Sequence, residues 1–175
     1  WKRAFASGRT SGWEPRNRKV AMRLVPKPNI VLDIGANIGQ EAVYYSSWAR
    51  WVHSFEPEPE TFEILKRNIA QNSIKNVSVH CFGVGRERGV SNIVSVSRND
   101  GCSFVSNADA DGSHRIDVIA IDGMSFDHGS VDFVKMDIEG FEMEALRGMV
   151  ETIRKHRPTF QVEMQDEHLK RNDSS

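Results

Sequence analysis

The chain has 175 residues, 39% of them apolar and 27% charged, the length and mixture of one soluble domain with a single core. No apolar run approaches the ~20 residues a membrane-spanning helix needs, and Trp1-Lys2-Arg3 leads into polar, glycine-containing sequence instead of the apolar stretch of a secretory leader. The only cysteines, Cys81 and Cys102, lack metal-binding spacing and the six histidines are scattered, so neither disulfides nor a metal site is expected, and a reducing compartment, the cytoplasm, suits the chain.

The net charge of −1 conceals an asymmetry. Residues 1–28 carry eight Lys and Arg against Glu14 alone, +7, leaving −8 for the remainder. Such an arm can recruit phosphate-bearing partners, but the simpler expectation is a solvated basic segment preceding a domain over residues 29–175.

Pro26 and Pro28 mark the boundary. Ile30–Ile34 is an apolar run broken by one acid, the pattern of a buried parallel strand. A glycine-bearing turn, 35–39, leads into a predicted helix over 40–50. A second strand is expected at 51–55, an amphipathic helix over 60–72 with Phe62, Leu65 and Ile69 on one face, and a third strand at 77–82. This β-α-β-α-β order predicts right-handed crossovers and a parallel sheet. The runs 92–97 and 102–106 flank Arg98-Asn99-Asp100-Gly101, a hairpin signal, and read as an antiparallel insertion outside that sheet. A strand at 115–121, a short helix or turn over 122–128, a buried strand at 131–137, a helix over 141–153 and a last strand at 158–164 complete the expected order.

Three places carry chemistry. In Asp33-Ile34-Gly35-Ala36-Asn37-Ile38-Gly39, Gly35 lets the chain turn off a strand tip and Gly39 lets the next helix start close beneath a ligand. That helix start offers free N–H groups. The spacing differs from the Gly-x-Gly-x-x-Gly of dinucleotide binders. Asp33 would repel a pyrophosphate and favour a cationic or hydroxyl-rich ligand, which fits S-adenosyl-L-methionine better than a nicotinamide dinucleotide. Glu56 lies at the second strand's tip, where a doubly wound fold places the acid that grips ribose hydroxyls, and Pro57 stiffens the turn presenting it. Third, Lys135, Asp137 and Glu139 alternate along an extended run, so all three could project on one side of a strand end, with Glu163 on the next strand near enough to join them. Ionisable residues there are expensive without a task. Asp137 is the expected base or orienting group for an acceptor hydroxyl, Lys135 would keep that carboxylate ionised, and Glu139 would position the acceptor. Asn107-Ala108-Asp109-Ala110-Asp111-Gly112 mimics the start of a calcium loop, but Val118 stands where the bidentate Glu belongs, and a solvated acidic turn is expected.

Taken together, residues 31–39, Phe55-Glu56-Pro57-Glu58-Pro59, Asn68-Ile69, residues 134–142 (Val-Lys-Met-Asp-Ile-Glu-Gly-Phe-Glu), Leu146-Arg147-Gly148 and Val162-Glu163 resemble the FkbM family of methyltransferases, in the family's order and over most of the chain. The resemblance implies an α/β, Rossmann-like class I methyltransferase fold with helices on both faces of a mostly parallel sheet. It also implies S-adenosyl-L-methionine as methyl donor and a hydroxyl acceptor on a sugar, glycan or small molecule. Asp33, Gly35, Ala36, Asn37, Gly39, Glu56 and Pro57 would line the donor, Phe82 would lie near its adenine, and Asp137 and Glu139 beside the transferred methyl. The family fold continues past its last strand here into a helix and a terminal hairpin, for which residues 165–175 are too short, so a missing edge is expected. Two other readings compete. A nucleic-acid methyltransferase draws on the basic arm but lacks the Asn/Asp-Pro-Pro-aromatic run and a Pro-Cys nucleophile. A degenerate domain that binds donor without turnover draws on the short end.

Overall fold

The computed structural model describes residues 15–95, 103–106, 113–138 and 140–163. Five parallel strands, β1 (Ile30–Ile34), β2 (Trp51–Phe55), β3 (Val77–His80), β8 (Val131–Met136) and β9 (Thr159–Val162), form one sheet in the order β3-β2-β1-β8-β9. The chain steps outward from β1 to β3 and then returns to the far side of β1. The carboxyl end of β1 is therefore the switch point of the sheet, where open α/β sheets place their ligands.

Alternation along β1 divides the core between the two faces. Ile30, Leu32 and Ile34 pack with Val134, Met136, Ala145 and Met149 on one side. Val31 packs with Val52, Phe133, Tyr45, Trp48 and Ala21 on the other. The first face is covered by α4 (Glu142–Arg147) and α5 (Val150–His156), the second by α1 (Pro15–Leu24) and α2 (Gln40–Tyr45). Helix α3 (Pro59–Gln71) buries Leu65 and Ile69 against Ala36 and Ala42. Its start is well determined: Pro59 sits at the first position and the Glu58 carboxylate accepts from the Thr61 N–H at 2.6 Å.

A second sheet of four short strands, in the order β4-β7-β5-β6, stands apart from the first. It contains β4 (Gly83–Val84), β5 (Gly89–Ser95), β6 (Ser103–Ser106) and β7 (Ser113–Ile119). β5 and β6 pair antiparallel, Asn92 opposite Ser106 and Ser95 opposite Ser103, so the inserted hairpin lies outside the main sheet. The Arg98–Gly101 turn and the 107–112 acidic turn lie outside the described residues.

Several elements differ from the sequence pattern. The segment 15–24, expected to be solvated, is helix α1, and Arg18 and Ala21 on it are buried. The helix expected over 40–50 ends at Tyr45, because the hydroxyls of Ser46 and Ser47 bond back to the carbonyls of Val43 and Tyr44 at 2.7 and 2.8 Å. The helix expected over 141–153 is two helices. Asp122, in a 3₁₀ turn (Ile121–Gly123), accepts from the backbone N–H groups of Glu151 and Thr152 and from the Thr152 hydroxyl, giving α5 its own N-terminal cap. Gly148 lies at the break, its carbonyl accepting from the Asp122 N–H. β3 stops at His80 because residues 83–84 leave for the second sheet, beside Val118 and Ile119 of β7. The strands expected at 131–137 and 158–164 are β8, which stops at Met136, and β9, which covers Thr159–Val162.

Candidate active site

Most polar groups at the switch point are tied to a neighbouring strand tip or loop. Gly35, Asn37 and Gly39 all have positive φ, +79°, +49° and +89°, so the loop after β1 curls in a conformation that side chains resist at two of its three positions. Its closeness to the neighbouring strand is absolute: a Cβ on Gly35 would lie 1.9 Å from the Asp137 carbonyl oxygen. A Cβ on Gly39 would lie 2.5 Å from Leu65 of α3.

Glu56 fastens this loop to the next one. Its carboxylate accepts from the Asn37 N–H at 2.9 Å and from the Glu58 N–H at 3.0 Å, while its own N–H donates to the His80 carbonyl. Burial pushes the Glu56 carboxyl up to about 7, the two backbone donors opposing it. Each carboxylate oxygen keeps a lone pair after these bonds, so Glu56 can still accept from a ligand's hydroxyls.

Beneath the loop lies a buried charge cluster. Parallel register sets Asp33 opposite Lys135. The Lys135 ammonium donates to the Gly35 carbonyl at 3.0 Å and to Asp137 at 3.3 Å, and stands 3.9 Å from Asp33 Oδ1. Burial presses the Lys135 pKa down, but Asp33 and Asp137 outweigh it and leave the pKa above its ordinary value. Asp33 is fully enclosed, and burial raises its carboxyl to about 6 against the pull of Lys135. Ser54 donates to its Oδ2 at 3.4 Å, and Oδ1 accepts no hydrogen bond. An enclosed acceptor with unused capacity is unusual.

Beside this polar floor lies a small apolar cleft, its walls including Gly35, Pro57, Phe82, Val84, Ile138 and Phe141. The residues singled out in the sequence therefore fall into two adjoining groups. Asp33, Gly35, Asn37, Gly39, Glu56, Lys135 and Asp137 share the polar end, and Pro57 and Phe82 share the apolar one. Ala36 is buried against α3 residues, with its N–H bonded to the Phe55 carbonyl. Lys135 and Asp137 touch, whereas Glu139 lies outside the described residues. Glu163 places its N–H on the Met136 carbonyl at 2.9 Å.

Two features of this region escape sequence reasoning. Glu142, 2% exposed, accepts from the Gly140 N–H with both oxygens at 3.0 Å and so fixes the turn that carries Ile138 and Phe141. The sequence shows only a glycine two residues before an acid; that Gly140 adopts φ +104° and turns its N–H onto Glu142 is visible in the structure alone. Arg18 of α1 reaches Glu41, in the first turn of α2, through Nε at 3.0 and 3.1 Å and through a further short contact. No local pattern links residues so far apart.

Among the described residues there is no group of three or more His, Cys, Asp or Glu arranged to hold a metal ion, and no helix long and apolar enough to cross a membrane.

Comparison with known proteins adds the family. The model of the methyltransferase FkbM domain matches residues 33–175. The hexuronic acid methyltransferase AglP of Haloferax volcanii is 33% identical over 129 residues, 71% of this chain and 52% of that protein. Methyltransferase 1 of Beauveria bassiana is 26% identical over 148 residues, 71% of this chain and 59% of its own length. The chain thus spans somewhat more than half the length of these relatives. Among solved structures, a methyltransferase FkbM from Methylobacillus flagellatus superposes with a TM-score of 0.57 at 24% identity, over 77% of this chain and 32% of that one; it speaks for the fold. The Gly35–Gly39 loop, Glu56 and the Asp33–Lys135–Asp137 cluster all fall within the matched span, and the chain belongs to the FkbM methyltransferase family.

Proposed function

We propose that the protein is an S-adenosyl-L-methionine-dependent methyltransferase acting on a hydroxyl of a sugar, glycan or other small molecule. One observation carries this reading. The Gly35–Gly39 loop, whose glycine backbone leaves no room for a side chain against Asp137, is tied to the ribose-type acid Glu56 directly above the Asp33–Lys135–Asp137 cluster. These residues fit the donor. Asp33 supplies negative charge beneath the loop for a ligand bearing an ammonium and a sulfonium, and its unused Oδ1 is an acceptor kept dry. Glu56 has lone pairs left for two ribose hydroxyls. Pro57, Phe82 and Ile138 give the cleft beside the loop apolar walls of the kind against which a heteroaromatic ring packs.

The donor, when bound, supplies an electrophilic methyl group. The protein's task is to align donor and acceptor and exclude water, a contribution of about 7–11 kcal/mol in favourable cases. Asp137 is the side chain at the β8 tip that is open to solvent, and it accepts or orients the acceptor's hydroxyl proton. Lys135 keeps Asp137 in place from behind, and Glu139, next along the same run, positions the acceptor. The name of the Haloferax relative, a hexuronic acid methyltransferase, makes hexuronic acids the first acceptors to try. A reducing compartment such as the cytoplasm suits the unpaired Cys81.

The test has two stages. S-adenosylhomocysteine at saturating concentration should raise the melting temperature, as a native-state ligand must. Labelled methyl transfer should then be measured on free hexuronic acids, neutral sugars and an RNA control. Absence of any thermal shift removes the donor assignment, and transfer to RNA alone replaces the sugar reading with a nucleic-acid one.

A further inference from the structure

The loop from Gly35 to Gly39 uses all of its own N–H groups inside the protein. Gly35 and Ala36 donate to the Phe55 carbonyl, Asn37 to the Glu56 carboxylate, Ile38 to Asn37 Oδ1, and Gly39 to the Ala36 carbonyl. Those bonds stay within the loop or reach the tip of β2. One further bond leaves the loop for a helix: the Ile38 carbonyl accepts from Asn68 Nδ2 of α3 at 2.7 Å, across 30 residues of chain. Only the amide nitrogen of that side chain can face a carbonyl, so its partner fixes which way it points.

Leu65, Asn68 and Ile69 are spaced by three and four residues and share one face of α3. Leu65 and Ile69 are buried with Ala36 and Ala42, and a Cβ on Gly39 would meet Leu65 at 2.5 Å. Asn68, on the same face, is half-buried. Apolar contact sets how near the loop lies to the helix, but it has no direction and does not orient a peptide. A hydrogen bond does. Ile38 stands between two residues of positive φ, Asn37 at +49° and Gly39 at +89°, so a turn of its peptide would alter the course of the loop on both sides. Asn is also a weak helix former, because its side chain competes with the backbone. The helix alone would be better served by Leu at this place. At its other end α3 is joined to the ribose-type acid, since the N–H of its N-cap Glu58 donates to Glu56 at 3.0 Å.

We infer that Asn68 is a positioning residue of the donor site: its amide holds the Ile38 carbonyl and so orients the Asn37–Gly39 half of the loop. It acts through the loop backbone, and it makes α3 a brace between that loop and Glu56. The inference rests on the donor reading given above.

Calorimetry with S-adenosylhomocysteine at pH 8 on the full chain tests it, beside the melting temperature of each ligand-free protein. At this pH the Asp33 and Glu56 carboxyls, raised by burial to about 6 and about 7, are ionised alike in every variant. Asn68→Leu removes the donor and should weaken binding about fivefold, the scale of one net hydrogen bond. The melting temperature should not fall, because Leu favours the helix and water can meet the carbonyl of half-buried Ile38. Asn68→Asp keeps the shape but sets an acceptor against the carbonyl, so the loss should be larger, about tenfold or more. Asn68→Gln carries the amide on a longer stem and should fall between the unaltered protein and the Leu variant. It also preserves a comparison with Asp if the Leu variant does not fold. That order is the signature of a donated bond, which packing alone does not produce. Variants that all bind like the unaltered protein overturn the inference, as does an Asp variant that binds as tightly as the Leu or Gln one. A lowered melting temperature with unchanged affinity overturns it too, reducing Asn68 to a residue that only holds α3. Absence of binding in the unaltered protein is a separate failure: it removes the donor reading itself, and this inference with it.

Discussion

The two sheets of the molecule use their residues differently. In the five-stranded sheet the tips of β1, β2 and β8 carry Asp33, Glu56, Lys135 and Asp137, and each is fixed by backbone or ionic partners. In the four-stranded sheet the inward residues Ile93, Ile116 and Val118 are apolar and pack on Phe141, while Val90 on β5 is 53% exposed. The first sheet holds charges that must not move. The second is a greasy wall placed beside them, and its strands bear no ionisable group of the cluster. Rigid chemistry is thus separated from a part of the fold that can vary, the usual arrangement where one scaffold serves many substrates.

Substitutions can break that division. The largest effect is expected from Gly35→Val, which forces a branched side chain onto φ +79° and into the Asp137 carbonyl. The variant should lose the thermal shift with S-adenosylhomocysteine altogether; a retained shift would mean the loop is not part of the donor site. Next comes Asp137→Asn, which keeps shape and hydrogen bonding and removes the charge. Turnover should fall by about 10²–10⁴-fold if proton transfer is its task, with donor affinity nearly unchanged. Normal turnover together with a lowered melting temperature would reduce the Lys135 contact to an ion pair with a structural role.

Glu56→Gln offers a finer test. Removing the carboxylate should weaken donor binding by roughly 1.5–3 kcal/mol, the range for hydrogen bonds to a charged group. It also changes the pH response in a direction that can be worked out. The folded-state Glu56 carboxyl is raised from 4.5 to about 7, so between these values the native state holds a proton that the unfolded chain has released. Stability from this group therefore falls as pH rises from about 4.5 to 7. The Gln variant should gain on the parent across that window in denaturant titrations. The smallest effect belongs to the second sheet: Val90→Thr, at an exposed strand position, should alter stability by no more than about 0.5 kcal/mol and leave donor affinity alone. A clear loss of affinity there would end the division between the sheets.

How far the fold was legible depended on the distance over which each cause acts. β1 and β2 are found within their own five residues, because a buried parallel strand is mostly apolar, broken here only by Asp33 in β1 and by His53 and Ser54 in β2, and both have the limits that the pattern predicts. The start of α3 is likewise local, a proline and a capping acid side by side. The break between α4 and α5 was not legible, since the Asp122 carboxylate that caps α5 lies 30 residues before Thr152. Helix α1 was hidden for a related reason: the partner that makes Arg18 a buried residue stands 23 positions later. At the site, Gly35, Gly39 and Glu56 could be singled out from spacing alone. That Lys135 reaches the Gly35 carbonyl could not, because the register between β1 and β8 is set by tertiary packing and not by any short motif.

The meeting of Gly148 with Gly85 has a consequence for how the cleft keeps its width. A Cβ on Gly148 would stand 1.9 Å from the Gly85 carbonyl oxygen, and one on Gly85 would stand 2.8 Å from Val118 and 3.0 Å from the Phe141 ring. Gly83 and Val84, immediately before Gly85, are part of the cleft wall. The two glycines therefore serve as a feeler gauge between the helix pair and the second sheet. Any larger residue at position 148 must push residues 83–85 away from α4, resetting the width of the cleft while every side chain lining it stays the same. Two proteins of this design could then differ in the width of this cleft through a single methyl group at a helix break, where an inspection of the lining residues would never look.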